Sequence, residues 1–257
     1  MLKLVYVIRR KPGLSADEFR AYWLDRHAPL VTEVAPLIGA LRYVQSHFYD
    51  HPANEAMRSV RGMLPPVDGV TEVWWESRAA FEAAYGSPEG QAAAARLAED
   101  EARFIDFSQS QVFMTEAHEI FDHRDRHPVG GGALKVTYLL ARREGLTRAE
   151  VQRTWLQDHG PLVASFADTL LMARYVQSHT VEDDLNEAFR QGRGLQPALD
   201  GITEVWLASL ADLEASGETD AQRAASHALV EDERRFVDMG RSRCFLTREV
   251  PIFDRTA

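Results

Sequence analysis

Apolar and polar positions alternate between two periods along this chain. LKLVYVIRR (Leu2 to Arg10) is an apolar, β-branched run that predicts a first strand, broken at Gly13. Ser15 with Glu18 then forms a capping box, and Phe19, Trp23 and His27 follow at i, i+4 and i+8, one face of a helix. Pro29 disfavours helical geometry in the residue before it and is expected to end that helix just past His27. LRYVQSHFY and GVTEVWWE predict two further strands, separated by a long loop from about Asp50 to Asp68 that carries Pro52, Pro65 and Pro66. The alanine-rich segment SPEGQAAAARLAEDEARFID predicts a second helix, and SQSQVFMTEAHEIF predicts a closing strand.

The same βαββαβ order then recurs. Shifted by 132 residues, positions 2–122 align with 134–254 without a gap, and roughly 40% of the aligned residues are identical. YWLDRHAPLV returns as TWLQDHGPLV, RYVQSH returns unchanged, and GVTEVW becomes GITEVW. Thr147 with Glu150 repeats the capping box, Val151, Trp155 and His159 repeat the helix face, and Pro161 repeats the expected helix end. The chain thus divides into repeat units at 1–122 and 134–257, joined at 123–133 by a charged stretch with Pro128, Gly130, Gly131 and Gly132 that predicts a flexible linker. Each unit has the ferredoxin-like strand–helix order. One sheet covered by helices on a single face would leave the other face bare. The expected fold class is therefore α+β, with two tandem ferredoxin-like units forming one intrachain pseudo-dimeric α/β barrel.

Composition narrows the function classes. With 45% hydrophobic and 26% charged residues and no apolar run of about 18, the chain predicts a globular protein with no membrane span. The N-terminal basic residues follow the apolar run, the wrong order for a secretory signal. A single cysteine, Cys244, rules out an intrachain disulfide and a Cys-based zinc cage, so a cytoplasmic location is expected. The net charge of −10 speaks against a nucleic-acid or anionic-lipid partner and leaves a small neutral or apolar metabolite open. A homodimer of the tandem chain is compatible with this layout.

The helix FRAYWLDRHAPLV and its copy VQRTWLQDHGPLV, followed by RYVQSH and GVTEVW, resemble the EthD-like members of the dimeric α/β-barrel superfamily over essentially the whole chain. The resemblance implies a barrel of two such units with pockets between sheet and helices. It also implies chemistry like that of small cofactor-independent lyases, dehydratases and decarboxylases that act on aromatic or polyketide-like compounds.

His27 and His159 lead the candidate catalytic residues, because imidazole exchanges protons near neutral pH. The bland alternative for each is a cap on a helix C-terminus. Their neighbours Asp25 and Arg26 change to Gln157 and Asp158, yet both histidines persist. His47 and His179 are the second catalytic pair. Strand alternation sets Tyr43, Gln45 and His47 on one face, as it does Tyr175, Gln177 and His179, and a polar face of this kind suits a substrate pocket. Glu72 and Glu204 either pair with Arg42 and Arg174 or orient a histidine. Trp23, Trp74, Trp155 and Trp206 are core or pocket walls, and the change of Trp75 to Leu207 gives the halves different shapes. The EDE runs of the second helices are expected to be solvated, with Glu99 paired to Arg103.

No metal and no cofactor is called for, since no phosphate loop, Rossmann fingerprint or compact metal motif is present. The expected activity is an acid–base lyase of the dehydratase type. The competing readings are a non-catalytic hydrophobic-ligand-binding protein, a metal-dependent enzyme built on His27, His47 and Glu72, and a haem-dependent barrel enzyme. In a further variant only one half is active, as the changes of Asp25 to Gln157 and His118 to Val250 permit.

Overall fold

The computed structural model describes residues 1–130, 133–182 and 184–256. The linker expectation at Gly131 and Gly132 lies outside these described residues. The first half contains β1 (Leu2–Ile8), α1 (Ala16–Tyr22), a π-helical turn (Trp23–His27), α2 (Ala28–Val34), β2 (Arg42–Phe48), α3 (Ala53–Arg61), β3 (Gly69–Trp75), α4 (Arg78–Gly86), α5 (Pro88–Glu101) and β4 (Gln111–Asp122). The second contains β5 (Leu134–Leu140), α6 (Arg148–Thr154), a π turn (Trp155–His159), α7 (Gly160–Ser165), β6 (Met172–Thr180), α8 (Asp184–Arg193), β7 (Gly201–Leu207), α9 (Leu210–Ala215), α10 (Asp220–Glu233) and β8 (Arg243–Asp254).

The eight strands close into one antiparallel barrel in the order β1-β3-β2-β8-β5-β7-β6-β4. Closure depends on the length of β4 and β8. Residues 111–115 of β4 pair with β1 inside their own half, and residues 115–122 run on to pair with β6 of the other. β8 does the same with β5 and then β2. Each closing strand is therefore an arm laid across the partner half, and no sheet edge is left open.

Alternation sorts the strand residues between two interiors. Leu4, Tyr6, Ile8, Tyr43, Val73 and Trp75 face outward under the helices of the first half, with Phe19, Trp23 and Phe104 packed on them. Val5, Val7, Val70 and Phe113 face the lumen and meet Leu139, Ile202 and Phe245 from the second half. Deeper in the lumen sit Lys3, Glu72, Lys135 and Glu204, each about 2% exposed or less. Lys3 contacts both Glu72 and Glu204, the latter at 2.7 Å, and Lys135 contacts Glu72 at 3.0 Å and Glu204. Burial opposes the charge on Lys135, but Glu204, Glu72 and Glu249 together outweigh it and raise its pKa.

Three local expectations are corrected. Pro29 and Pro161 do not end the helices. The chain widens into a π turn at Trp23–His27, where the Ala28 N–H reaches the Trp23 carbonyl, and the helix then continues to Val34. Pro29 has no N–H to give, and its ring would strike the Asp25 carbonyl in a regular coil, so the extra residue in the turn relieves both problems. The expected long loop after β2 holds α3, whose Asn54 reaches the Tyr49 carbonyl and the Leu246 N–H. A further helix, α4, precedes α5, capped by Ser77.

Gly69 and Gly201 open β3 and β7 where Trp23 and Trp155 cross over the strands. A Cβ on Gly69 would lie 2.5 Å from the Trp23 ring, and one on Gly201 would lie 2.7 Å from the Trp155 ring. Gly69→Ala is expected to cost about 1–3 kcal/mol in urea unfolding through overpacking. Gly86→Ala, at a helical site with nothing within 4 Å of the added carbon, should leave stability unchanged or raise it. For the lumen cluster, Lys3→Met is expected to cost about 3–5 kcal/mol by leaving a buried carboxylate short of one cation. The quadruple change of Lys3, Lys135, Glu72 and Glu204 to apolar residues should recover much of that loss in the same measurement.

Candidate active site

The π turn brings His27 to the inner side of its helix, where it is buried at 6% exposure. Its Nδ1 meets the Asp100 carboxylate at 2.8 Å, and the Tyr22 hydroxyl donates to the other oxygen of Asp100 at 2.7 Å. The bond from His27 holds the Asp100 carboxyl below its usual pKa, with Tyr22 adding to the effect against partial burial. An ionised Asp100 fixes Nδ1 as the protonated nitrogen and leaves Nε2 as the free base. His159 repeats the arrangement with Asp232 at 2.9 Å, where Arg235 replaces Tyr22 as the supporting donor at 2.6 Å.

Each histidine lines a cavity between its helices and the outer face of the barrel. The first cavity is about 70 Å³ and the second about 60 Å³. With roughly 10–15 Å³ needed per water on this scale, each has room for about five waters, the bulk of one aromatic ring. Beside His27 in the first cavity are Tyr6, Tyr43, Thr71, Glu101 and Arg193. Beside His159 in the second are Tyr138, Tyr175, Thr203 and Glu233.

The arginines are exchanged between the halves. Arg193 comes from α8 of the second half and pairs with Glu101 of the first. Arg61 comes from α3 of the first half and holds Glu233 of the second in a two-pronged contact at 2.7 and 3.1 Å, with its guanidinium over the Tyr138 ring. Neither cavity is complete within its own half. Burial, with Glu101 second, raises the Tyr6 pKa well above its usual value, so the phenol keeps its proton. Its buried oxygen has no hydrogen-bond partner among the described residues, a donor facing a cavity with nothing to receive it.

The remaining expected site residues are placed differently. Gln45 donates to the Trp23 carbonyl at 3.0 Å and to the Tyr43 hydroxyl at 2.7 Å, while His47 donates from Nε2 to the Gln45 side-chain oxygen at 2.8 Å. Gln177 does the same for Trp155, Tyr175 and His179. The two glutamines thus brace the first carbonyl of each π turn, which also takes the N–H five residues on. His47 lies against Trp23 at 4.4 Å and His179 against Trp155 at 4.4 Å, and among the described residues neither touches His27 or His159. Tyr43, Tyr175 and Trp155 line the cavities, whereas His47, His179, Gln45, Gln177 and Trp23 sit behind them.

Glu72, Glu204, Trp74 and Trp206 are corrected outright. The alternation that sends Thr71 and Val73 outward sends them into the lumen, so Glu72 and Glu204 pair with lysines and orient no histidine. Trp74 and Trp206 lie under Arg42 and Arg174. A metal site of His27, His47 and Glu72 is excluded by the same geometry, since Glu72 is on the opposite face of the sheet. Glu72, Glu204 and Glu249 do converge within 4.8 Å, but Lys3 and Lys135 already fill the space between them. Neither cavity would accept a porphyrin.

The EDE runs hold the residues that sequence reasoning passed over. Glu99 is solvated and paired to Arg103 as expected, at 3.0 Å, but Asp100 and Glu101 turn inward. The available signal was that Glu99, Asp100 and Glu101 recur without change as Glu231, Asp232 and Glu233.

Burial, with Arg20 second, lowers the His47 pKa to about 4, and burial, with His118 second, lowers that of His179 to about 3. An unfolded histidine takes its proton near 6.5, while these two decline it when folded. Stability from this source is therefore full above about pH 6.5 and falls as the pH drops toward 4. His47→Gln/His179→Gln is expected to flatten that loss in urea unfolding between pH 7 and pH 4.5.

The model of the EthD domain matches residues 11–108 and again residues 143–240. No curated protein matches the chain by sequence. Among solved structures, an anthrone oxidase-like protein superposes with a TM-score of 0.57 at 14% identity, covering 100% of this chain and 94% of that one. A provisional monooxygenase of Fusobacterium nucleatum superposes with a TM-score of 0.51 at 6% identity, again covering 100% and 94%. At such identities the likeness is one of fold.

Proposed function

As the chain belongs to the EthD domain family, we propose that it is a cofactor-independent acid–base lyase of the dehydratase type, acting on a small aromatic or polyketide-like metabolite. The units at 1–122 and 134–257 are read as ferredoxin-like halves that each carry one reaction centre. The observation that carries the reading is the His–Asp pair, His27 with Asp100 and His159 with Asp232, set at a cavity beside a protonated tyrosine.

In this reading His27 Nε2 takes a proton from the carbon next to a substrate carbonyl, and the Tyr6 hydroxyl donates to the carbonyl oxygen as charge builds there. The electrons of the broken C–H bond form the new C=C bond. The adjacent C–O bond breaks, and its hydroxyl leaves as water with the proton returned by the imidazolium. Asp100 stabilises that imidazolium. Glu101, paired to Arg193, orients the guanidinium near Tyr6. His47 and His179 act through Gln45 and Gln177 on the shape of the π turns, as positioning residues.

A second reading keeps the same first step. The fold is shared with proteins described as anthrone oxidase-like and as a provisional monooxygenase, and in this reading the carbanion made by His27 adds dioxygen to form a C–O bond, the peroxide takes the imidazolium proton, and loss of water with the remaining C–H proton leaves a new C=O group. Oxygen uptake on turnover separates the two.

With hydroxylated aromatic ketones as trial substrates, His27→Ala/His159→Ala is expected to lower kcat by about 10²–10⁴-fold. Asp100→Asn/Asp232→Asn should lower kcat by a smaller factor and shift the pH–rate profile. Turnover unchanged in the double histidine variant would end the proposal.

A further inference from the structure

The polar residues in and directly behind the two cavities repeat without change, but their apolar walls do not. Tyr6, His27, Tyr43, Thr71, Glu101 and Arg193 correspond at the 132-residue spacing to Tyr138, His159, Tyr175, Thr203, Glu233 and Arg61. The first cavity is walled by Trp75, Tyr85 and Phe189. Their counterparts, Leu207, Gly217 and Met57, lie outside the lining of the second cavity, whose rings besides its tyrosines and histidine are Trp155 and Phe236. The exchange also runs the other way, since Met63 and Met172 line the second cavity and their counterparts are Leu195 and Ala40.

These walls differ in kind. Around the first cavity Trp75 meets Phe81 edge-on at 5.0 Å, Phe81 stacks on Tyr85 at 4.3 Å, and Phe189 reaches across from α8 to meet Phe81 at 6.2 Å. The Trp75 indole is pinned by its bond to the Ile38 carbonyl at 2.7 Å. Such a set is rigid and offers flat faces and ring edges. Around the second cavity Met63, from the first half, and Met172 have flexible, polarisable side chains. Walls of this kind reshape around flexible ligands.

We propose that the two pockets perform the same chemistry on ligands of different shape, the first selecting a planar aromatic ring and the second a flexible aliphatic chain. The residue that sets the choice comes from the opposite half in each case, Phe189 on α8 and Met63 just past the end of α3, next to the exchanged arginines. The inference rests on the proposed acid–base site for its chemistry, but the selection it describes is a property of binding and is read without turnover.

The test is a titration of the whole protein with p-cresol and with 1-hexanol, followed by the indole N–H signals of Trp75 for the first pocket and Trp155 for the second. The expected result is at least a tenfold preference for p-cresol at Trp75 and a reversed order at Trp155. Phe189→Met should reduce the p-cresol preference at Trp75 at least fivefold without moving the Trp155 response, and Met63→Phe should do the converse. The same order of affinities at both indoles, no response at either, or no effect of the two exchanges would overturn the inference. His27→Ala/His159→Ala is expected to keep both shape preferences. Preferences kept with turnover unimpaired in that variant would therefore overturn the catalytic proposal and leave this one standing.

Discussion

Everything in this molecule depends on a constraint of β geometry: neighbouring residues of a strand point to opposite faces. In a barrel made of two halves, one face of each sheet belongs to the lumen and the other to the helices. Lys3, Lys135, Glu72 and Glu204 take the first face and hold the halves together through crossed ion pairs. Tyr6, Tyr43, Thr71 and their copies take the second and supply the cavities. A one-residue slip in register would exchange the two sets, placing charges under the helices and phenols in the lumen.

The same duplication that builds the barrel makes each cavity depend on both halves. The connection between the second and third strands of each half reaches over the partner and delivers a helix ending in an arginine, and the two arginines meet glutamates of the opposite half. Exchange of this kind ties the integrity of either site to assembly of the whole barrel. It also lets wall residues diverge on one helix without disturbing the polar groups, because the two come from different elements.

The π turns show how a local sequence conflict becomes a positioning device. A proline in mid-helix forbids the regular coil, and in the wide turn that results the Trp23 or Trp155 carbonyl takes the N–H five residues on and a second bond from Gln45 or Gln177. The histidine at the end of that turn is fixed from two directions, by the glutamine that braces the start of the turn and by an aspartate of α5 or α10.

The barrel, the two halves and the shared helix face of Trp23 with His27 and of Trp155 with His159 were legible in the sequence, because strand alternation, helix periodicity and a gapless repeat are encoded by near neighbours. Even the pairing of Glu99 with Arg103 follows from helical spacing. The partner of each histidine was not legible, since Asp100 and Asp232 stand 73 residues further along the chain in what reads as a solvated acidic run. Nor was the role of Glu72, whose charge is answered by Lys3 and by Lys135 of the other half. Which face of a strand becomes lumen, and which half's arginine closes which cavity, depend on how the two sheets meet. That arrangement is decided by long-range packing, which no local pattern records.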